Sequence, residues 1–156
     1  MQKAAATLLS ILLVGVVSMR PAAQGRGTAA TLASATRVMC RFTTRARVTW
    51  QKGVPSVAVE PSTLALGFDE ISPDEGTARA IDWVGPSDII MRVADNATHF
   101  LQSSREGALY VTTIFPHETT DGRMRAVHTR HEFTPVSVPG FTSSPEQYYG
   151  DCALTK

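Results

Sequence analysis

Between Arg37 and Trp50 the chain alternates with a period of two. Val38, Cys40, Phe42, Thr44, Ala46, Val48 and Trp50 fall on one face; Arg37, Met39, Arg41, Thr43, Arg45, Arg47 and Thr49 fall on the other. An α-helix would scatter both sets around its axis, whereas a strand places every second side chain on the same side. The segment therefore predicts a long half-buried strand, whose apolar face needs a sheet and a core to cover it.

The same pattern, in shorter pieces, runs through the rest of the sequence. Lys52-Gly53 with Pro55 marks a turn, Val57 to Val59 a short strand broken by Pro61, and Thr63 to Phe68 a strand with Leu64, Leu66 and Phe68 on one face. Ser72-Pro73-Asp74-Glu75-Gly76 is a turn cluster. Thr77 to Val84 follows, with Ile81 and Trp83 as anchors, and Gly85-Pro86-Ser87 turns the chain again. Asp88 to Ala94, Ala97 to Ser103 and Ala108 to Phe115 read as a meander, joined by Asp95-Asn96, which tolerate positive φ, and by Arg105-Glu106-Gly107. These turns predict a register: Val93 opposite Thr98, Met91 opposite Phe100, Ile89 opposite Gln102, then Phe100 opposite Val111 and Gln102 opposite Leu109. One face would then collect Ile89, Met91, Val93, Phe100, Leu109, Val111 and Phe115. After a turn at Thr119 to Gly122, Arg123 to Phe133 is a polar strand centred on Val127. Pro135 to Pro145 is an irregular loop, and Glu146 to Cys152 a last short strand with Tyr148 and Tyr149.

No segment after the N-terminal apolar run reads as a helix, and there is no internal repeat. Short strands with turns at near-regular spacing predict an all-β domain of about eight strands, either a small antiparallel up-and-down barrel or a β-sandwich. The two cysteines, Cys40 and Cys152, stand in the first and last strands. A bridge between them ties the ends of the sheet and favours closure into the barrel. The shape expected is similar to that of small lipocalin-like barrels, an analogy of architecture that carries no function.

The N-terminus predicts the compartment. Lys3 precedes an apolar and small-residue run from Ala4 to Val17, ended by Arg20 and Pro21. The run has the length of a signal-peptide core and is shorter than the ~20 residues that span a bilayer. Cleavage after Val16-Val17-Ser18 or after Ala33-Ser34-Ala35 both satisfy the small-residue rule. Residues 1–35 are accordingly read as signal peptide and flexible leader, and 36–156 as one domain. An even pair of cysteines in an exported chain predicts a disulfide, periplasmic or extracellular. No cysteine follows the apolar run closely enough for a lipid anchor. Removing Lys3, Arg20 and Arg26 leaves 12 basic against 14 acidic residues. That near-neutral balance argues against nucleic acid as the main partner.

The chemistry-bearing residues are sparse. His128 and His131 are three apart, so on a strand they point to opposite faces and cannot share a metal. Pairing Thr112 with His128 would place Arg92, His99, Thr112 and His128 in one row, flanked by Tyr110, Arg130, Glu132 and Asp88. Turned into a barrel, this face is a candidate ligand-binding or acid–base site; turned outward, it is the solvent face usual for antiparallel sheets. Arg37, Arg41, Arg45 and Arg47 form a stripe that could meet a membrane surface or envelope partner, or serve solubility and edge protection. Tyr148-Tyr149 with Phe141 could line a mouth or pack the Pro-rich loop. Asn96-Ala97-Thr98 matches a glycosylation acceptor. There is no Gly-x-Ser-x-Gly elbow, Gly-rich phosphate loop or zinc-spaced Cys/His cluster, so neither cofactor nor metal is assigned.

Three functions fit, in this order. The first is non-enzymatic binding of a small apolar or amphipathic ligand in the barrel. The second is an interaction module using the arginine-lined face or an exposed sheet edge. The third is a hydrolase-type enzyme using His99, His128 and Glu132.

Overall fold

A computed structural model describes residues 32, 34–82, 85–105, 107–133 and 144–155. Its elements are β1 (Arg37–Gln51), β2 (Val54–Ser72), β3 (Thr77–Asp82), β4 (Gly85–Ala94), β5 (Ala97–Ser103), β6 (Leu109–Glu118), β7 (Met124–His131) and β8 (Glu146–Thr155). Every strand pairs antiparallel with its sequence neighbours, and β8 pairs back onto β1 to close the ring. The expected all-β, up-and-down barrel is the observed fold. The predicted signal peptide falls outside the described residues, apart from the end of the leader, where Leu32 and Ala35 pack into the core.

Closure is covalent as well as hydrogen-bonded. Cys40 and Cys152 are direct cross-strand partners on β1 and β8, their Cα atoms 3.9 Å apart, and they form a disulfide. This bond is compatible with the oxidising compartment read from the sequence. Next to it, Thr36 N–H donates to the carbonyl of Thr155 at 3.0 Å.

Inside the ring, the end at which β1 begins and β8 finishes is apolar. Val38, Phe42, Met91, Phe100 and Ile114 are completely buried there, and Phe68 stacks on Phe100 with ring centroids 4.2 Å apart. The other end is polar, and a bulge in β1 explains the change. The Arg37–Trp50 alternation breaks between Phe42 and Thr44, where the register shifts against both β2 and β8. Up to Phe42 the even residues point inward. Beyond it Arg45 pairs with Tyr148 and Arg47 with Glu146, so the odd residues point inward instead. The expected single apolar face from Val38 to Trp50 is thus two half-faces. The expected arginine stripe is likewise split, with Arg37 and Arg41 outside and Arg45 and Arg47 inside.

Gly150 is the residue that makes the bulge sterically feasible. It sits opposite Phe42, and a Cβ there would lie 2.0 Å from the Arg41 carbonyl oxygen. The complementary irregularity in β2 lies between Pro61 and Leu64, where Ser62 Oγ accepts the Leu64 N–H at 3.1 Å. Pro61, expected from sequence to break the strand, therefore only bends it, and Val54–Ser72 is one long strand.

The β4–β5 register is the one predicted: Met91 faces Phe100 and Val93 faces Thr98. Asp95 and Asn96 make the two-residue turn without positive φ, so the turn is not the left-handed type expected of them. At the β5–β6 hairpin the register is one residue away from prediction. Phe100 faces Thr112 and Gln102 faces Tyr110. The loop closes with Ser104 N–H on the Ala108 carbonyl at 2.9 Å, with Gly107 at φ 94°. A slip of one residue exchanges the faces of the strand. Tyr110, Thr112 and Ile114 therefore point inward, and Leu109, Val111 and Phe115, predicted for the core, point outward.

β1 and β2 are far longer than their neighbours. Apart from the Val48 N–H, which donates to the Pro145 carbonyl at 3.2 Å, the stretches beyond Arg47 and before Leu66 pair, among the described residues, with each other alone, and they leave the barrel as a two-stranded ribbon. Lys52 (φ 52°) and Gly53 (φ 82°) turn its tip; two consecutive left-handed residues match the natural twist of a two-residue hairpin.

Candidate functional site: the polar mouth of the barrel

The polar end of the interior gathers side chains from β1, β2, β5, β6, β7 and β8. His128 marks the boundary with the apolar half. Its ring contacts Phe42 at 5.7 Å on the apolar side and Tyr148 at 5.8 Å on the polar side. Thr112 Oγ1 lies 2.8 Å from His128 Nδ1, and Arg130 Nε donates to His128 Nε2 at 3.4 Å. An arginine donor on Nε2 requires that nitrogen to be the acceptor, so the proton sits on Nδ1 and is donated to Thr112. The imidazole is 4% exposed. Burial, with the Arg130 charge beside it, pushes its pKa down to about 3, and the ring is neutral.

Above the histidine, the Arg130 guanidinium lies 5.2 Å from the Tyr148 ring centroid and 5.7 Å from that of Tyr110. Aromatic faces hold a guanidinium without neutralising it. Among the described residues Arg130 makes no ion pair. The tyrosine hydroxyls are engaged elsewhere: Tyr110 donates to Glu132 at 3.0 Å and Tyr148 donates to Glu146. Burial, followed by that carboxylate bond, pushes the Tyr110 phenol up to about 12; the same two causes raise Tyr148. Both tyrosines are therefore uncharged.

The rim is compensated. Arg45 bonds Glu60 at 2.6 Å and Glu146 at 3.4 Å, and Arg47 bonds Glu60 at 3.3 Å. The Arg45 hydrogen bond, with the charge of Arg47, holds the Glu60 carboxyl below the usual carboxylate range. Arg45 Nε and Arg47 Nε remain buried without an acceptor among the described residues. Outside the barrel, Arg37 pairs with Asp69, and Arg41 with Asp151 and Asp121. All four stripe arginines are thus tied to carboxylates and do not present one free cationic face.

A small cavity lies where the two halves meet. Leu66, Phe68, Ala80, Ile89 and Phe100 form its apolar wall; Gln102, Tyr110, Thr112 and His128 form its polar one. It offers about 20 Å³ to the centres of water molecules, room for one or two waters, since one needs about 10–15 Å³. The apolar half beneath it is filled by side chains.

Of the residues predicted for the site, the mouth gathers Tyr110, Thr112, His128, Arg130 and, through Tyr110, Glu132. The predicted Thr112–His128 pair is present. Arg92 and His99 pair with each other as expected, but on the outer wall, where His99 Nδ1 meets Thr113 Oγ1 at 3.0 Å. The one-residue slip at the β5–β6 loop separates them from Thr112 and His128. His99 and His128 therefore lie on opposite sides of the sheet and cannot share a proton relay. Tyr148, read from sequence as a candidate to line a mouth, does so; Glu60 and Glu146 were not foreseen, and Arg45 and Arg47 were expected on an outward stripe. The signal available was Gly150, because a glycine inside a strand marks a bulge or a close backbone approach. Phe141 lies outside the described residues, and Tyr149 faces outward. Among the described residues, no group of three or more His, Cys, Asp or Glu could hold a metal.

Comparison with protein-family models, curated proteins and solved structures finds no match.

Proposed function

We propose that this protein is an exported, non-enzymatic binding module that takes a small amphipathic ligand at the mouth of its barrel. The observation that carries the reading is Arg130: a guanidinium held between two uncharged tyrosine rings, with no ion pair among the described residues, beside a cavity whose opposite wall is apolar. A carboxylate or phosphate-type head meets Arg130, with the idle Nε groups of Arg45 and Arg47 nearby. Only the leading atoms of the apolar part enter the cavity, and the remainder rests on the rim. The filled lower half argues against a ligand swallowed whole, as a larger barrel would hold it.

Acid–base catalysis is the weaker reading, because a neutral imidazole with a pKa of about 3 is a poor base near neutral pH. Native mass spectrometry of the protein, purified from its own export compartment without reducing agent, tests the proposal. Extra mass that leaves on denaturation, carried by the wild type and at least tenfold less by Arg130→Gln, supports it; an unliganded wild-type chain refutes it. The tenfold figure is about the effect of losing one charge-assisted hydrogen bond.

A further inference from the structure

The β1–β2 ribbon has two unlike faces. The face continuous with the barrel interior carries Arg45, Arg47 and Glu60. On the other, cross-strand pairs stack Ala46 with Val59, Val48 with Val57 and Trp50 with Pro55. This outer face contains no charged residue, and Lys52 at the tip is the only charge between Val48 and Val59. It is open: Trp50 is 48% exposed, Val57 63% and Val59 71%. Phe133, 69% exposed, extends it by an edge-on contact with Trp50 at 5.8 Å. A contiguous apolar strip on a projecting element calls for a covering surface.

Three kinds of cover can be compared. A strand added to the free edge of β2 is disfavoured. Pro55 and Pro61 occupy same-parity positions on that edge, and a proline is accommodated where its missing N–H faces away from the paired strand. They remove donors that an incoming strand needs. A second copy packed face to face is disfavoured by area: three outward pairs, spanning five residues of each strand, give a footprint on the order of 200 Å², against ~800 Å² per partner in a stable interface. A lipid surface has neither requirement. It needs an uncharged apolar strip, an aromatic residue suited to the headgroup boundary and a cation at the edge, which the strip, Trp50 and Lys52 supply.

We infer that the outer face of the β1–β2 ribbon is a membrane-surface contact, by which the barrel lies against a phospholipid bilayer without spanning it. The contact is independent of ligand binding at the mouth and differs from the arginine stripe expected from sequence, which the fold neutralises.

The test is co-sedimentation of the purified, disulfide-bonded protein with phosphatidylcholine vesicles, with and without a quarter phosphatidylglycerol. The triple variant Trp50→Ser, Val57→Ser, Val59→Ser is run beside the wild type. Arg130→Gln serves as a control that alters the mouth alone. Wild type and Arg130→Gln pellet with vesicles, and the triple variant, with an unchanged unfolding midpoint, loses about tenfold or more in partitioning. Quenching by brominated lipid chains in a Trp83→Phe chain, where Trp50 is the one indole left, reports the same contact even if the triple variant fails to fold. The inference is overturned if the wild type stays in the supernatant with both vesicle types. It is equally overturned if sedimentation velocity shows a dimer that the triple variant dissociates, which would make the face a contact between copies. A triple variant of lowered midpoint, beside a wild type that ignores vesicles, would mean that residues 134–143 of the chain already cover the strip.

Discussion

Lowering the pH from 8 to 5 should cost the wild-type protein about 2 kcal/mol of stability through His128 alone. The imidazole is buried with a folded-state pKa of about 3, against an ordinary value of 6.5. Between those values the unfolded chain binds a proton that the native protein refuses. Stability from this group is therefore complete above pH 6.5 and declines as the pH falls towards 3. At pH 5 the loss is about 1.5 units at 1.36 kcal/mol each. The native carboxylates that hydrogen bonds and neighbouring arginines depress, Glu60, Asp69 and Asp121, start from ordinary values of 4.5, 3.8 and 3.8. They add their own acid loss mainly below pH 5, so the window between 7 and 5 isolates the histidine. Urea unfolding at pH 8, 7, 6 and 5 measures the slope. His128→Gln keeps an amide donor for Thr112 and an acceptor for Arg130 but cannot titrate; whatever its stability at pH 8, its curve should be flatter than that of the wild type by about 2 kcal/mol at pH 5. Parallel curves would refute the reasoning, because they would mean that the native imidazole takes up a proton freely and is not sealed between Phe42 and Tyr148.

Two further outcomes follow from the wall of the barrel. Gly150→Ala forces a Cβ onto the backbone of Arg41 and Phe42, 2.0 Å from the Arg41 carbonyl oxygen and 2.7 Å from the Phe42 Cα. It should lower stability by about 3 kcal/mol or more, seen as a fall in the thermal midpoint; an unchanged midpoint would show that the bulge can relax elsewhere. Replacing Cys40 and Cys152 by serine opens a loop with a sequence separation of 112 residues. The chain-entropy model puts the loss at about 4–5 kcal/mol, measured by urea unfolding of the variant beside the oxidised wild type. A loss below about 1 kcal/mol would refute the chain-entropy account and mean that the unfolded chain without the bond retains structure that already keeps its ends together.

Local pattern carried most of the architecture. Alternation located the strands, turn residues located nearly all the reversals, and the placement of Cys40 and Cys152 favoured a ring. What escaped was single-residue register, which no periodicity fixes. Arg105-Glu106-Gly107 is recognisable as a loop, yet whether Ala108 belongs to the loop or the strand decides which side of the wall Thr112 and Leu109 occupy. The bond from Ser104 to the Ala108 carbonyl settles it. The bulge after Phe42 is similarly silent in β1, whose alternation continues unbroken through Trp50; its cause lies more than a hundred residues away, in Gly150. The Thr112–His128 pair was legible because it depends on the β6–β7 hairpin alone. The mouth as a whole was not, because Arg45, Tyr148 and Glu146 enter it only after the bulge has inverted the face.

The seam between β1 and β8 also bears on when the protein can fold. Neighbouring strands can zip as hairpins while the chain emerges, but the ring has one join that pairs the beginning of the domain with its end, Arg37 with Thr155. No vectorial order of appearance can make that join early. Until Cys152 is delivered beside Cys40, one flank of β1 has neither its hydrogen-bonding neighbour nor its covalent tie. The nascent protein is then an open, curling sheet with two adhesive edges. A barrel of this connectivity is thus completed by its last residues, and a chain threaded across a membrane from its N-terminus would acquire its native form only after translocation has ended.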